Sequence, residues 1–400
     1  MSTLTLYNSL KFKIIVGAGL FCSTISFAQE VKTDTIKVFE DKVIINPEPQ
    51  KYPKFKVGGV FQTRYLDNFK KGVDIDGLHH SETPEKTNYA NNSFDIKRMR
   101  VSMNAKITEN LEVTALVNFA DFKNKDVSTR VLENAYAKYT VNRYFQITVG
   151  QFRPLFGLEE TYAVDIVKSI DYSNSYYLFG NNGWMSFQVG AAITGSVDLG
   201  KVPMSYGFSV TNGNGKNKTD SDDGKHYSSR LLFNLNKKHD FNVGISGGIG
   251  EVQKENVYAV GVEAAAKFPI GDRWCFDFQT EAKQGTNHDA FFKLAADKRL
   301  GKLDDYVMKS FYVLPNIRYE VGRKHFQAIE FACRYEYLDA ESQLNSNARQ
   351  TLTPMFSLEF LKNYGARIQV GMQIDNFKEN IKDSKTYNSN LAFIQLQCRF

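Results

Sequence analysis

The 400-residue chain carries 50 Lys and Arg against 44 Asp and Glu, a formal charge of +6. That surplus is too mild to argue for a nucleic-acid partner. Mean hydropathy is −0.38, and beyond the N-terminal segment no stretch approaches the ~20 apolar residues of a membrane-spanning helix. A helical membrane protein is thereby excluded, whereas a β-barrel is not, because only every second strand residue meets lipid.

In chain order, the first element is an export signal. Lys11 and Lys13 precede an apolar run from Ile14 to Phe21, and Ser26-Phe27-Ala28 places small residues at −3 and −1 before Gln29. This predicts a signal peptide over 1–28, cut after Ala28 and too short to span a membrane. Phe21 stands where a small residue would precede a lipidated Cys22, so lipoprotein processing is disfavoured. Cleavage removes two lysines and no acids. The remaining cysteines, Cys275, Cys333 and Cys398, are an odd, sparse set that forms no disulfide framework and fits no metal spacing.

Residues 29–53 read as a periplasmic leader, with Pro47, Pro49 and Pro53 near its end. Within it, Thr35 to Ile45 has the pattern of one short strand or partner-binding segment. From 54 to 400 the chain reads as all-β. Sixteen strands are predicted near 55–65, 94–107, 110–122, 132–141, 144–152, 184–196, 202–212, 226–236, 239–250, 256–268, 272–285, 308–321, 326–339, 350–362, 364–377 and 388–400. Alternation is clearest in Arg367-Ile368-Gln369-Val370-Gly371-Met372-Gln373-Ile374-Asp375, where every second residue is apolar.

Tight turns such as Thr108-Glu109, Asn142-Arg143, Lys237-Lys238 and Asn363 alternate with longer polar segments: 66–93, 123–131, 153–183, 213–225, 251–255, 286–307, 340–349 and 378–387. Short turns on one side and long loops on the other are the layout of a transmembrane antiparallel barrel, with turns in the periplasm and loops outside. A strand of about twelve residues tilted near 45° covers roughly 28 Å, close to a bilayer core. Soluble sandwiches use strands of about five or six residues. The final strand puts Ala392, Ile394, Leu396, Cys398 and Phe400 on one face, and Phe393, Gln395, Gln397 and Arg399 on the other. An amphipathic strand running to a terminal aromatic suits a barrel whose last strand pairs with its first. The 21 Tyr and 31 Phe suit interfacial girdles. Together with the export signal, these features predict a bacterial outer-membrane barrel in contact with outer-membrane lipid.

Three segments carry a resemblance to a known family. They are Phe94-Asp95-Ile96-Lys97-Arg98-Met99-Arg100-Val101, Leu132-Glu133-Asn134-Ala135-Tyr136-Ala137-Lys138-Tyr139, and Val149-Gly150-Gln151-Phe152-Arg153-Pro154-Leu155-Phe156-Gly157-Leu158-Glu159. In this order, with the closing Phe400, residues 55–400 resemble the phosphate-selective porin O/P family. The resemblance implies a sixteen-stranded, water-filled barrel, often a homotrimer, that passes small anionic solutes such as phosphate by diffusion. No cofactor and no catalytic step are expected.

Anion passage requires cations and hydrogen-bond donors along the narrowest section. Arg98 and Arg100 are the leading pore-lining candidates, supported by Lys106, Arg64 and Arg153, because a guanidinium stays charged and donates paired hydrogen bonds to oxyanions. The competing reading is that these arginines pair with lumen carboxylates and only support the wall. Lys56, Arg230, Arg273, Lys283, Arg318, Arg334 and Arg367 are also predicted to point inward, against Asp277, Glu281, Glu320, Glu330, Glu336, Glu359 and Asp375. Positive charge is thus in excess near strands 55–65 and 94–107, while the rest of the wall is mixed and need not select phosphate.

Segment 153–183 is long, aromatic and charged (Tyr162, Asp165, Lys168, Asp171, Tyr172, Tyr176, Tyr177), which favours a loop folding into the lumen over one packed outside. Segment 286–307 has a helical pattern from Asp289 to Leu300. His79-His80 and His288-Asp289 lack further ligands at metal spacing. With no G-x-S-x-G motif and no strand-borne histidine beside an acid, an enzyme is disfavoured. The alternative from another class is a plugged barrel acting as binding or assembly partner of a surface complex, with contacts carried by the loops and the leader.

Overall fold

The structure is a computed structural model that describes residues 51–82, 86, 88–123, 131–220 and 222–400. The signal peptide and residues 29–50 of the leader lie outside the described residues. Among the described residues sixteen strands follow in order: β1 (Lys54–Asn68), β2 (Asn92–Lys106), β3 (Leu111–Asn118), β4 (Leu132–Asn142), β5 (Phe145–Phe152), β6 (Gln188–Leu199), β7 (Val202–Thr211) and β8 (His226–Asn236). Then come β9 (Phe241–Val252), β10 (Glu255–Ile270), β11 (Trp274–Thr286), β12 (Val307–Arg323), β13 (Phe326–Asp339), β14 (Arg349–Leu361), β15 (Ala366–Phe377) and β16 (Ser389–Arg399). Each pairs antiparallel with its chain neighbours. β1 closes on β16 from Val60↔Arg399 to Asn68↔Leu391, giving a closed barrel without an open edge.

Alternation decides which face is which. In β14, Thr351, Thr353, Ser357 and Glu359 are buried toward the lumen, while Leu352, Phe356 and Leu358 are exposed on the outer wall. β16 repeats this: Gln395 and Gln397 point inward, Ile394 and Leu396 outward. An apolar exterior over a polar interior is the inverse of a soluble protein and the signature of a barrel wall in lipid.

Four details differ from the sequence reading: β3 stops at Asn118 in a 3-10 turn over Phe119–Lys123, β6 begins at Gln188 rather than at 184, and two connections change. The β9–β10 connection is only Gln253 and Lys254, both at positive φ, so the long loop predicted at 251–255 is a tight hairpin. The helix predicted over Asp289 to Leu300 splits into α2 (His288–Lys293) and a 3-10 turn at Ala296–Lys298. An earlier helix, α1 (Asn174–Asn181), lies inside segment 153–187. Ser173 caps α1, accepting from the Tyr176 amide at 3.1 Å. Gly183, at φ 74°, ends it in the left-handed conformation that glycine adopts without a Cβ penalty.

Segment 153–187 connects β5 to β6 and folds into the lumen. Its apolar side, including Phe156, Val167, Tyr176, Phe179, Trp184 and Met185, forms one buried cluster with Val60, Val257, Ala259 and Met308 of the wall. Around Ile170, a second cluster gathers Leu66, Tyr312, Leu314, Met355 and Phe393. Loop carbonyls and amides then dock on polar side chains of the far wall. Arg334 donates to the Asp171 carbonyl at 2.7 Å, Arg367 to that of Val167 at 3.1 Å, and Gln397 to that of Asp165 at 2.9 Å. The Asn174 amide donates to Glu336 at 2.6 Å.

Candidate functional site: the waist of the lumen

Three adjoining cavities lie beside the loop, two of them against the wall of β1 to β4 and the third against β6, the β7–β8 loop and α2. An inner one of about 500 Å³ is bounded by Lys56, Ser102, Asn104, Arg153 and Arg399. A waist of about 200 Å³ lies between Lys97, Arg98, Arg100 and Glu133 on the wall and Tyr172, Tyr176 and Tyr177 on the loop. An outer one of about 700 Å³ is bounded by Lys216, Lys218, Lys293 and Gln188. Arg100 and Phe187 border both the inner cavity and the waist, and Asp121, Tyr177 and Lys216 border both the waist and the outer cavity.

Two bulges shape the waist. Between β1 and β2 the register runs Gln62↔Arg98 and then Thr63↔Ile96, which leaves Lys97 unopposed. An extra residue in one strand lets two consecutive side chains serve the same face. Accordingly, Lys97 and Arg98 both reach Asp171, at 3.2 and 2.7 Å. Between β3 and β4 the register steps from Leu116↔Asn134 to Val117↔Leu132, leaving Glu133 as the extra residue. Glu133 turns inward against Arg100, whose Nη2 donates to Oε1 at 2.7 Å while Nε lies 2.6 Å from Oε2.

The other sequence candidates are placed differently. Arg64 lies above the waist, with Nε donating to Asp95 at 3.3 Å. Lys106 is exposed at the periplasmic end of β2, far from the waist. Arg153 borders the inner cavity but its donors hold the loop in shape: Nη1 reaches the Tyr162 carbonyl at 2.9 Å and the Tyr172 hydroxyl at 3.0 Å, Nη2 reaches the Glu159 carbonyl at 2.8 Å, and Nε pairs with Glu160. Arg334 and Arg367 are fully buried beneath the loop rather than along the path. Arg273, expected to point inward, is exposed in the β10–β11 turn, near the Tyr319 hydroxyl at 3.3 Å. Unbroken alternation does not extend through a turn, which is why that assignment fails.

Alternation also hides Lys97 and Glu133, because a bulge has no local pattern. Lys216, from the β7–β8 loop, lies 3.5 Å from Asp121 and enters the waist only through the tertiary fold. Burial alone would raise the Asp171 carboxyl, but Arg98 and Lys97 outweigh it and hold the group well below the usual carboxylate range. Glu160 goes the other way: burial pushes it up to about 7 despite the Arg153 guanidinium. Among the described residues no cluster of three or more His, Cys, Asp or Glu is arranged to hold a metal. His80 instead lies 2.9 Å from Asp74 and stacks on Tyr89.

Residues 72–240 match the family model described as phosphate-selective porin O and P, which bears out the resemblance read from the sequence. No curated protein matches the chain. Among solved structures, the chain is similar to the outer-membrane channel DcaP of Acinetobacter baumannii, with a TM-score of 0.54 and 14% identity over 87% of this chain and 97% of that one. It is similar to OmpT of Vibrio cholerae in its trimer form, with a TM-score of 0.52 and 12% identity over 88% of this chain and 100% of that one. An anion-selective porin from Comamonas acidovorans gives a TM-score of 0.52 and 8% identity over 87% and 100%. At such identities the likeness establishes the fold. The barrel is an outer-membrane porin barrel, and its place is the bacterial outer membrane.

Proposed function

We propose that this outer-membrane channel admits small hydrophilic solutes by diffusion and favours anions, phosphate among them. Family and fold point to a channel rather than an enzyme. The observation that carries the anion reading is the gathering of Lys97, Arg98 and Arg100 on one wall of the waist, with Lys216 at its outer edge. Cations along the narrowest section raise the local anion concentration, and their carboxylate partners keep binding weak enough for release. Adjoining cavities that share lining residues on both sides of the waist support this reading over a plugged barrel that serves a surface complex. Residues 1–28 are proposed as the export signal and 29–53 as a periplasmic leader.

A homotrimer is proposed as well. β3 and β5 have eight residues each, against 17 in β12. Eight residues tilted near 45° cover roughly 19 Å, less than the ~25 Å apolar band of a barrel. Neighbouring copies packed against β3 to β5 would shield that low wall from lipid. Oligomers that survive detergent and dissociate on heating support it, whereas a monomer by light scattering in mild detergent refutes it.

The channel reading is tested by reversal potential in a planar bilayer under a KCl gradient. An anion-favouring potential that weakens in the Arg98→Ala/Arg100→Ala double variant is expected. Stable conductance steps with no anion preference refute the anion claim and keep the porin.

A further inference from the structure

We infer that the waist prefers planar aromatic monocarboxylates over multivalent inorganic anions, an inference that rests on the anion-passing reading above. A phosphate bound without its water needs several unspent donors converging on one point. At this waist the donors are engaged. Arg98 donates to Gln62 at 2.9 Å and to Asp171 at 2.7 Å, and Arg100 to Glu133 at 2.7 Å. Tyr177 donates its hydroxyl to Asp171 at 2.7 Å, and Tyr172 to the Tyr162 carbonyl at 2.7 Å. Among the described residues, Lys97, Arg98, Arg100 and Lys216 share three carboxylates, those of Asp171, Glu133 and Asp121. What remains is a weak positive field, enough for one negative charge.

The face opposite those cations is aromatic. Tyr172 and Tyr176 stack with centroids 4.2 Å apart, and Tyr177 meets Tyr176 edge-on at 5.5 Å. Tyr177 is 43% exposed, so a ring in the path can reach it. Phe187 closes the same cavity. Size agrees: an apolar cavity of about 150 Å³ takes one benzene, and the waist of about 200 Å³ leaves room for a carboxylate beside the ring. A ring against Tyr177, with its carboxylate in the residual field of Lys97, Arg98 and Arg100, meets both walls at once. A small multivalent anion uses only one.

The experiment is current block of the full-length porin in a planar bilayer by sodium benzoate, sodium cyclohexanecarboxylate and sodium phosphate at equal ionic strength. Benzoate is expected to block at about tenfold lower concentration than the other two. Tyr177→Ala should bring the benzoate and cyclohexanecarboxylate values together, and Tyr177→Phe, which keeps the ring, should hold them apart. Equal block by the two carboxylates, or tighter block by phosphate, in a channel that still favours anions in the KCl gradient overturns this inference alone. A cation-favouring gradient potential overturns the underlying reading with it.

Discussion

Arg98 donates from Nη2 to Oδ1 of Asp171 at 2.7 Å, a bond that clamps the lumen loop to β2 beside the smallest of the three adjoining cavities. Lys97 shares the same carboxylate at 3.2 Å. One acid therefore both positions the loop and sets how much positive charge the passing solute meets.

Removing that acid should separate these roles. Asp171→Ala leaves Arg98 buried with Gln62 but without its carboxylate, a loss of order 3 kcal/mol, and it unmasks two cations. A more anion-favouring reversal potential and a lower unfolding temperature on unheated-to-heated gels are expected. Because the folded carboxyl lies below its unfolded value, its contribution to stability is present above the unfolded range near 4. It fades only as pH falls toward the lower folded value.

Glu160 supplies a pH dependence near neutrality. Burial pushes its carboxyl up to about 7 beside Arg153, so protonation as pH falls from 8 to 6 removes a negative charge next to a guanidinium that borders the inner cavity. Anion preference should rise over that window and lose its slope in Glu160→Gln. A wild-type reversal potential flat between pH 8 and 6 counts against this assignment.

Trp184 is 1% exposed and stacks on His226 at 4.2 Å, pinning the end of the loop to β8. Truncation to alanine should cost about 3–5 kcal/mol. The measurable signs are a lower melting temperature in detergent and noisier open-channel current as the loop loosens. A quiet trace with unchanged melting would show that the loop is held elsewhere.

Lys97 and Lys106 test the geometry of the waist against the simple strand pattern. Lys97→Ala should reduce anion preference more than Lys106→Ala, because Lys106 is solvent-exposed at the periplasmic end and is screened within a Debye length of ~10 Å at 0.1 M salt. Reversal potentials of the two variants, measured side by side, decide the order.

The sequence by itself determined the architecture. Period-two alternation, the rhythm of short turns and long loops, and the amphipathic strand ending at Phe400 are local patterns, and local patterns fix strand number, pairing order and which face meets lipid. Arg98 and Arg100 were readable for the same reason, since both lie on the polar side of β2. What only the tertiary structure decided is the channel's cross-section. The bulges that turn Lys97 and Glu133 inward are register steps between strands, and a register step leaves no periodic trace in either strand. The path of segment 153–187 depends on partners such as Arg367 for Val167 and Gln397 for Asp165, which are distant in sequence. Such contacts decide that Arg153 braces the loop, that Arg334 and Arg367 lie beneath it, and that the basic residues of β2 face the tyrosines across the waist.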